Sequence, residues 1–365
     1  MKTQKITEGN IKLLVPEGEE LTKKMSTFYN PEMKFDRDLS EAIISVLKPK
    51  KVIDTMCASG VRGLRYKSIL PDSEVVLNDL NPTAVKLAEK NAKENVLSVR
   101  TENTGLLKIL HSEFFDFIDI DPFGSPIYFL DAASKSIRNN GVVAITATDT
   151  AALCGTSPNA SLRKYGVKSM RCDFSKELGL RILISAAMRY FSKEELAYHP
   201  IFSYSRRHYF RIFGQVARGA QKADKLLESF SHLSYCRKCG YRDYGIQENC
   251  RRCSSKMAIV EPVYIGDFSS KSFCEQVLES QKAQDKTEKT PSPKINEKHK
   301  QFIGTVKSEQ GFPPYCDVHR IAELNGRQIP PTEELLKKLG GVRTHFLGTG
   351  IKTKKSFGDL VNALR

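Results

Sequence analysis

The sequence lacks two features that would direct the chain to a membrane. No apolar run approaches the roughly 20 residues that a membrane span needs. The first residues, Met1 to Lys5, are polar and charged and lack the hydrophobic region of a signal peptide. The sequence therefore predicts a cytoplasmic protein with no membrane partner, and no obligate protein partner is evident. A chain of 365 residues has room for two or three domains with real cores.

The nine cysteines of a cytosolic chain argue against a disulfide framework. Four of them form two C-x-x-C motifs, Cys236/Cys239 and Cys250/Cys253. Two such motifs joined by a short hairpin predict a structural Zn²⁺ site in a ribbon over residues 233–260. Four sulfurs leave no open position, so this zinc is expected to be architectural. A redox pair is the alternative, disfavoured because neither motif begins a thioredoxin-like βα unit.

The positive charge of +15 is concentrated in the second half of the chain. Residues 1–200 carry 28 basic and 25 acidic side chains, whereas residues 201–365 carry 29 basic and 17 acidic ones. This asymmetry predicts a nearly neutral catalytic body followed by a part that binds a polyanion. A generic solvated basic surface is the alternative.

The first half of the chain alternates short apolar runs with amphipathic stretches, which predicts a doubly wound α/β sheet. Acidic residues end three of the strands, and open α/β sheets bind their ligands at that edge. The predicted strands are Val52–Asp54, Glu74–Asp79, Val96–Val99, Phe117–Ile120 and Gly141–Asp149, with helices at Leu39–Leu47, Thr83–Asn95 and Ile127–Arg138.

The loop after the first of these strands, Ala58-Ser59-Gly60, contains small residues that allow a nucleotide-like ligand to approach the backbone. The third glycine of the dinucleotide fingerprint is missing, which disfavours a nicotinamide oxidoreductase. With Asp54 at the strand end, the loop is similar to the one under S-adenosylmethionine in class I methyltransferases.

Two further turns are predicted to contact the adenosine of such a ligand. Asp79 is placed to accept both ribose hydroxyls, unless it only caps the following helix, a task that Asn81 could perform. The turn containing Asn103 and Thr104 lies where sheets of this kind contact the adenine edge.

The turn Asp121-Pro122-Phe123-Gly124 follows the fourth predicted strand abruptly. A carboxylate and a backbone carbonyl there can accept the two hydrogens of an amino group, while an aromatic ring stacks on the base that carries it. Phe28, on a loop before Asn30-Pro31, is predicted to enclose the base from the other side. The alternative is that Asp121 only caps the next helix.

The second half of the chain is predicted to form a carboxy-terminal domain over residues 221–365, after a methyltransferase domain over residues 1–220. A helix over Phe174–Tyr190 and a single strand over Ser203–Val216 complete the first domain. The second domain would contain the ribbon, a polar linker at 280–300 and a unit at 301–365 with two helices, 317–324 and 331–339, and a basic hairpin at 343–354. That order is similar to a winged helix, a common nucleic-acid reader.

Several motifs in this order resemble the tRNA (guanine-26 N2)-dimethyltransferases of archaea and eukaryotes. They are Phe28-Tyr-Asn-Pro31 with Arg37-Asp38, Ala58-Ser-Gly-Val-Arg-Gly63, Asp119-Ile-Asp-Pro-Phe-Gly-Ser-Pro126, Thr146-Ala-Thr-Asp149 with Leu153-Cys-Gly155, and Thr344-His-Phe346 with Gly350-Ile-Lys-Thr353. The resemblance covers essentially the whole chain. It implies a Rossmann-like class I methyltransferase sheet with a smaller α+β carboxy-terminal domain, S-adenosylmethionine as cofactor, and tRNA as the partner that is methylated on the N2 of one guanine, once or twice.

Motif by motif, the resemblance implies Arg37, Arg62 and Asp79 as cofactor ligands, with Asn103 and Thr104 where relatives often carry an acid and a small residue. It also implies Asp121 as the catalytic residue, with Pro122, Phe28 and Phe123 around the base. Only some relatives carry the cysteine ribbon, so the zinc prediction depends on spacing alone.

Three competing functions fit the residues less well. One is an exocyclic-amine methyltransferase acting on another RNA or on DNA. Enzymes of this kind that act on DNA adenine or cytosine usually have an acid or Asn followed by Pro-Pro and an aromatic, whereas Phe123 replaces the second proline here. A 5-methylcytosine enzyme needs a nucleophilic cysteine, usually after a proline, and none of the five cysteines outside the ribbon follows one. A non-catalytic RNA-binding relic of the fold would have no reason to keep Arg37, Asp79 and Asp121 together.

Overall fold

The computed structural model describes residues 2–18, 25, 27–284, 293 and 295–364. None of the helices in this part of the chain is both long enough and apolar enough to cross a membrane.

Strands and helices alternate through the first half of the chain. Its elements are β1 (Thr3–Glu8), β2 (Ile11–Pro16), α1 (Lys34–Leu47), β3 (Lys51–Asp54), α2 (Val61–Ile69), β4 (Glu74–Asn78), α3 (Pro82–Glu94), β5 (Arg100–Glu102), α4 (Leu106–Ser112), β6 (Phe115–Ile120), α5 (Leu130–Ser136) and β7 (Ile137–Ala147). Short 3-10 helices at Pro31–Met33 and Ile127–Phe129 lead into α1 and α5.

The second half begins with helices and continues with antiparallel strands and further helices. Its elements are α6 (Thr150–Leu153), α7 (Pro158–Tyr165), α8 (Ser175–Ser192), β8 (Leu196–Arg206), β9 (Tyr209–Arg218), α9 (Ala220–Leu227), β10 (Phe230–Tyr235), β11 (Arg242–Tyr244), β12 (Ala258–Tyr264), α10 (Lys271–Gln284), α11 (Glu297–Ser308), β13 (Cys316–Asp317), α12 (Val318–Asn325), α13 (Thr332–Leu339), β14 (Val342–Arg343), β15 (Gly350–Lys352) and α14 (Phe357–Ala363).

Seven strands form one sheet in the order β5-β4-β3-β6-β7-β9-β8. The five strands from β3 to β7 are parallel to their neighbours. The order runs outward from β3 in one direction and then restarts with β6 on its other side. In open α/β sheets, ligands bind where the order reverses, outside the carboxyl ends of the strands. Here that place is the edge where β3 and β6 end.

The α/β prediction is confirmed, but several predicted elements are displaced. The predicted strand Val96–Val99 is wrong: Val96 adopts a positive φ of 53° just after α3, and the strand begins at Arg100. The predicted helix Ile127–Arg138 ends at Ser136, and β7 starts immediately afterwards. The helix predicted to begin at Leu39 begins at Lys34.

The predicted single strand over Ser203–Val216 is also wrong. It is two strands, β8 and β9, joined by a turn at Arg207 and His208. The predicted linker at 280–300 is helical at both ends, where α10 reaches Gln284 and α11 begins at Glu297. Residues 285–292 and 294 of that prediction lie outside the described residues.

Contacts divide the chain into two compact units. The first comprises Met1–Thr146, Phe213–Arg218 and Ser272–Ile303, and the second comprises Ala147–Ile212, Gly219–Lys271 and Gly304–Arg365. The domain boundary predicted near residue 220 stays a prediction.

The end of the second unit has its own apolar core. Buried side chains from α12, α13, α14 and β15 pack together, among them Ile321, Leu335, Ile351 and Leu360. The short strands β13, β15 and β14 form a three-stranded sheet in that order. The predicted succession of two helices and a hairpin is therefore present here, and the helix α14 follows it.

The amino-terminal hairpin of β1 and β2 is bound to α3 through two asparagine side chains one turn apart. The Asn91 amide accepts from the Leu14 N–H at 2.7 Å and donates to the Leu14 carbonyl at 3.0 Å. Asn95 does the same with Lys12 at 2.8 and 2.7 Å. These amides satisfy the backbone groups of β2 as a neighbouring strand would, so this edge of the hairpin is not left unpaired.

A buried ion network anchors the end of β1. Glu8 accepts from Arg37 Nε and Nη2 at 2.6 Å each and from Arg65 Nη1 at 2.8 Å. Arg65 in turn contacts the carboxylates of Asp38 and Glu41 on α1. Burial raises the pKa of Glu8, but the hydrogen bonds and charges of the two arginines outweigh it and lower this pKa to about 2.

We predict that Glu8→Gln makes the protein less stable at neutral pH and that the difference disappears in acid. The lowered pKa means that Glu8 contributes its full stabilisation above pH 4.5, its ordinary pKa, and loses it as the pH falls towards 2. Removing one member of a buried ion pair costs about 3–5 kcal/mol. Denaturant unfolding of both proteins at several pH values measures the difference.

The matched control is Glu94→Gln, which removes a carboxylate paired at the surface with Lys5 of the same hairpin. This change should leave stability almost unaltered. A stability difference between wild type and Glu8→Gln that stays constant from pH 7 to the acid limit would contradict the assignment.

Candidate active site

The strand β6 ends at Ile120, and the chain leaves the sheet in the turn Asp121-Pro122-Phe123-Gly124. Gly124 takes a φ of 88°, which favours glycine, and Pro122 is buried. The Asp121 side chain remains 24% exposed at the edge of the sheet. The turn therefore presents one carboxylate and the exposed ring of Phe123 at the edge where ligands bind.

Arg62, the second residue of α2, holds the Asp121 carboxylate. Its Nη2 donates to Asp121 Oδ2 at 2.5 Å and lies 2.8 Å from Asp36 Oδ2. Its Nη1 donates to Ser40 Oγ at 3.0 Å, and its Nε is 3.9 Å from Asp119 Oδ2. Burial alone would lower the pKa of Arg62, but the three carboxylates raise it well above its usual value. Arg62 is therefore a permanent buried cation.

Two glycines allow the close packing of the loop after β3 and of the first turn of α2. Gly60 has a φ of 78°, and a Cβ on Gly63 would lie 2.2 Å from Leu77 Cδ2 of β4. The second distance shows that α2 packs against the sheet more closely than any side chain at position 63 would allow. This close packing fixes the start of α2, and with it Arg62.

Asp54 lies beneath this loop and is only 2% exposed. Its Oδ2 accepts from the Gly63 N–H at 3.0 Å. Burial, followed by the negative charge of Asp119, raises the pKa of Asp54 to about 7. The structure thus places Asp54 under the loop, where it orders the first turn of α2.

Asp79 follows β4, and both of its carboxylate oxygens accept backbone N–H groups. Oδ2 accepts from Ala58 at 2.9 Å, and Oδ1 accepts from Asn81 at 2.9 Å. Asn81 caps α3 by accepting from the Thr83 N–H, so Asp79 does not cap that helix. Each carboxylate oxygen has further lone pairs that can accept from hydroxyls.

Asn103 and Thr104 lie just after β5. The Asn103 amide donates to the carbonyls of Asp79 and Leu80 at 2.8 and 3.0 Å. Asn103 therefore fixes the backbone that follows β4, and the half-buried Thr104 comes next to it in the chain.

Phe28 and Phe123 are brought together, as the sequence predicts. Their ring centroids are 4.6 Å apart and their planes meet at 85°, an edge-to-face contact. A base stacked between the two rings would require them to separate. Arg37 contacts the same loop, where its Nη2 donates to the Asn30 carbonyl at 3.1 Å in addition to its bonds with Glu8.

The residues that surround Arg62 were not predicted from the sequence. Asp36 and Ser40 are four residues apart on α1 and so lie on one face of that helix. Asp119 lies two residues before Asp121, and its Oδ2 accepts from the Tyr66 hydroxyl at 2.6 Å. The only signal was the second acid in the Asp119-Ile120-Asp121 string, because strand alternation places both acids on one side.

The four cysteines of the predicted ribbon converge in the second unit. All four sulfurs lie within 4.8 Å of one another, with 3.5 Å between Cys236 and Cys253 and 3.6 Å between Cys239 and Cys250. Tetrahedral zinc with Zn–S bonds of about 2.3 Å would separate its sulfurs by about 3.8 Å. The cluster could therefore bind a metal ion with little rearrangement.

Comparisons of the chain with family models and with known proteins indicate the same family. The family model of N2,N2-dimethylguanosine tRNA methyltransferases matches residues 6–365. The tRNA (guanine(26)-N(2))-dimethyltransferase of Sulfurisphaera tokodaii is 37% identical, with 100% of each chain covered. The enzyme of the same name from Thermococcus kodakarensis is 35% identical over the same share of both chains.

A solved structure agrees with the fold. Trm1 from Pyrococcus horikoshii, in complex with S-adenosyl-L-methionine, superposes with a TM-score of 0.88 and 28% identity, covering 99% of this chain and 100% of that one. The resemblance stated from the motifs and the predicted fold class are thus confirmed. The chain belongs to the N2,N2-dimethylguanosine tRNA methyltransferase family.

Proposed function

We propose that this chain transfers methyl groups from S-adenosylmethionine to the exocyclic N2 of guanine 26 in tRNA, giving N2-methyl- and N2,N2-dimethylguanosine, with Asp121 as the catalytic residue. The observation that carries the residue assignment is the Asp121-Pro122-Phe123-Gly124 turn at the carboxyl end of β6, with its carboxylate held by Arg62. The assignment of the reaction rests on membership of the family.

The edge of the sheet fits S-adenosylmethionine. Gly60 and Gly63 let the loop after β3 and the start of α2 pack closely against Ala88 and Leu77. The small residues Ala58-Ser59-Gly60 of that loop let a ligand approach its backbone. Asp79 would accept the ribose hydroxyls, Thr104 and Asn103 would contact the adenine edge, and Arg37 would contact the amino-acid end. Asp54 would not contact the cofactor directly; it would hold the start of α2 in place through its hydrogen bond with the Gly63 N–H. When bound, S-adenosylmethionine supplies the electrophilic methyl group.

The carboxylate of Asp121 and the carbonyl of Pro122 would make the guanine amino group a better nucleophile. Its lone pair is delocalised into the ring, so the nitrogen is a poor nucleophile. Hydrogen bonds from N2 to Asp121 and to the Pro122 carbonyl would rotate the amino group out of conjugation and aim its lone pair. They would also stabilise the positive charge that develops on the nitrogen.

Asp121 would also accept the proton that the methylated nitrogen must lose. The first transfer starts with two N–H groups, one for each acceptor. One N–H remains for the second transfer, and Asp121 is the acceptor that it must meet, because that carboxylate takes the proton in each round.

The aromatic pair would hold the base after it leaves the folded tRNA. Guanine 26 is buried in its folded tRNA and must be extracted to reach a carboxylate on a protein edge. Phe28 would separate from Phe123 so that the two rings enclose the base, and stacking would contribute about 1–3 kcal/mol per stacked base. The basic second half of the chain would contribute phosphate contacts. A cytoplasmic location stays a prediction.

We expect Asp121→Ala to abolish most methyl transfer while leaving cofactor binding intact. Mass-spectrometric nucleoside mapping of one tRNA transcript should find methylated guanosine only at position 26 with the wild-type protein, and none in a transcript carrying adenosine there or in duplex DNA. Calorimetry should give the same Kd for S-adenosylmethionine in both proteins.

The control Asp131→Ala removes an exposed carboxylate ten residues later, paired with Lys135 on α5, and should leave the rate unchanged. Single-turnover methylation retained by Asp121→Ala would refute the role of Asp121. Methylation of DNA, or none with wild type, would refute the proposed reaction.

We further propose that Cys236, Cys239, Cys250 and Cys253 hold one structural Zn²⁺. Metal analysis of the purified protein should give one zinc per chain, and chelation should lower its melting temperature, because zinc binding to such sites is coupled to folding. Cys250→Ser should lose the metal. Cys154→Ser, outside the cluster, should keep it, and equal zinc contents in the two variants would contradict the proposal.

A further inference from the structure

Arg62 is implied as a cofactor ligand by the motif resemblance, yet its contacts in this structure are directed elsewhere. All three of its guanidinium nitrogens face protein groups: Nη1 faces Ser40, Nε faces Asp119, and Nη2 lies between Asp36 and Asp121. Its side chain is only 7% exposed. Asp36 and Ser40 belong to α1, so this helix also holds the guanidinium that contacts Asp121.

The contact with Arg62 gives the two oxygens of the Asp121 carboxylate different surroundings. Oδ2 accepts a charge-assisted hydrogen bond from Arg62 at 2.5 Å, and bonds between two charged groups are stronger than neutral ones. Among the described residues, no donor contacts Oδ1. With Oδ2 fixed to a buried cation, rotation of the carboxylate is restricted, and Oδ1 is the oxygen that remains for an amino hydrogen.

We infer that Arg62 is the positioning residue of Asp121: it fixes the carboxylate through Oδ2 so that Oδ1 meets the amino group of the substrate base. This inference rests on the proposed function, because it assigns Asp121 to the methyl-transfer step. Arg62 acts through Asp121 and needs no contact with the substrate. A planar guanidinium is suited to this role because it holds partners on three sides at once, which a lysine ammonium on a flexible stem does not do.

The test separates the step of methyl transfer from cofactor binding. In Arg62→Ala, the single-turnover rate at saturating S-adenosylmethionine and tRNA should fall about 100-fold, because a misplaced catalytic group costs about that much. The Kd for S-adenosylmethionine, measured by calorimetry, should stay within about twofold of wild type. Added guanidinium ion, which can occupy the space of the lost side chain, should restore part of the rate.

Arg62→Lys keeps the charge and covers the case in which Arg62→Ala does not fold. It should lose about tenfold in rate, since one ammonium cannot reach Ser40, Asp36 and Asp121 together. The matched control is Arg181→Lys, another buried arginine, which pairs with Glu177 on α8. That variant should melt at a lower temperature with its single-turnover rate unchanged, as expected for a purely structural role.

A Kd for S-adenosylmethionine raised tenfold or more in either Arg62 variant, with the rate recovered at saturating cofactor, would overturn the inference and make Arg62 a cofactor ligand. A full rate in Arg62→Lys would overturn it as well. These results are distinct from a failure of the proposed function, which would appear as absent N2 methylation in the wild-type protein.

Discussion

One buried guanidinium, that of Arg62, permits several carboxylates to share the edge of the sheet. Asp36, Asp119 and Asp121 lie within 3.9 Å of it. Burying an ionised carboxylate without a partner costs much free energy of folding, so such a group becomes protonated instead. Asp54 shows the consequence of incomplete compensation: it is buried near Asp119, and its pKa rises to about 7.

The position of Arg62 follows from how closely α2 approaches the sheet. Parallel strands end at one edge, so the acids at the ends of β3 and β6 come near one another. The helix α2 begins at that same edge, and Gly63 lets it lie against Leu77 of β4 with no room for a side chain between them. A single packing constraint therefore places the cation among the acids.

Much of this site could be predicted from the sequence, because strand ends and turns have local signals. Asp54, Asp79 and Asp121 each follow a short apolar run. The structure places Asp54 as the last residue of β3, and Asp79 and Asp121 directly after β4 and β6. The partners of Arg62 could not be predicted in the same way. Asp36 and Ser40 come from a different helix, and only the tertiary packing of α1 brings them to the guanidinium.

The fold predictions failed where a residue adopts a conformation that its side chain does not signal. Arg207 has a φ of 51° in the turn between β8 and β9, so no glycine or asparagine marked the hairpin. Val96 has a φ of 53°, so an apolar, branched stretch ends α3 instead of forming a strand. The true strand, β5, is polar because it lies at the edge of the sheet, where apolar alternation is not required.

The coupling between Arg62 and Asp121 is the central claim, and a double-mutant cycle measures it most directly. Single-turnover methyl transfer would be compared for wild type, Arg62→Ala, Asp121→Ala and the double variant, all at saturating S-adenosylmethionine and tRNA. If Arg62 acts through Asp121, the double variant is no slower than Asp121→Ala alone. If the two losses multiply instead, the residues act independently and the account is wrong.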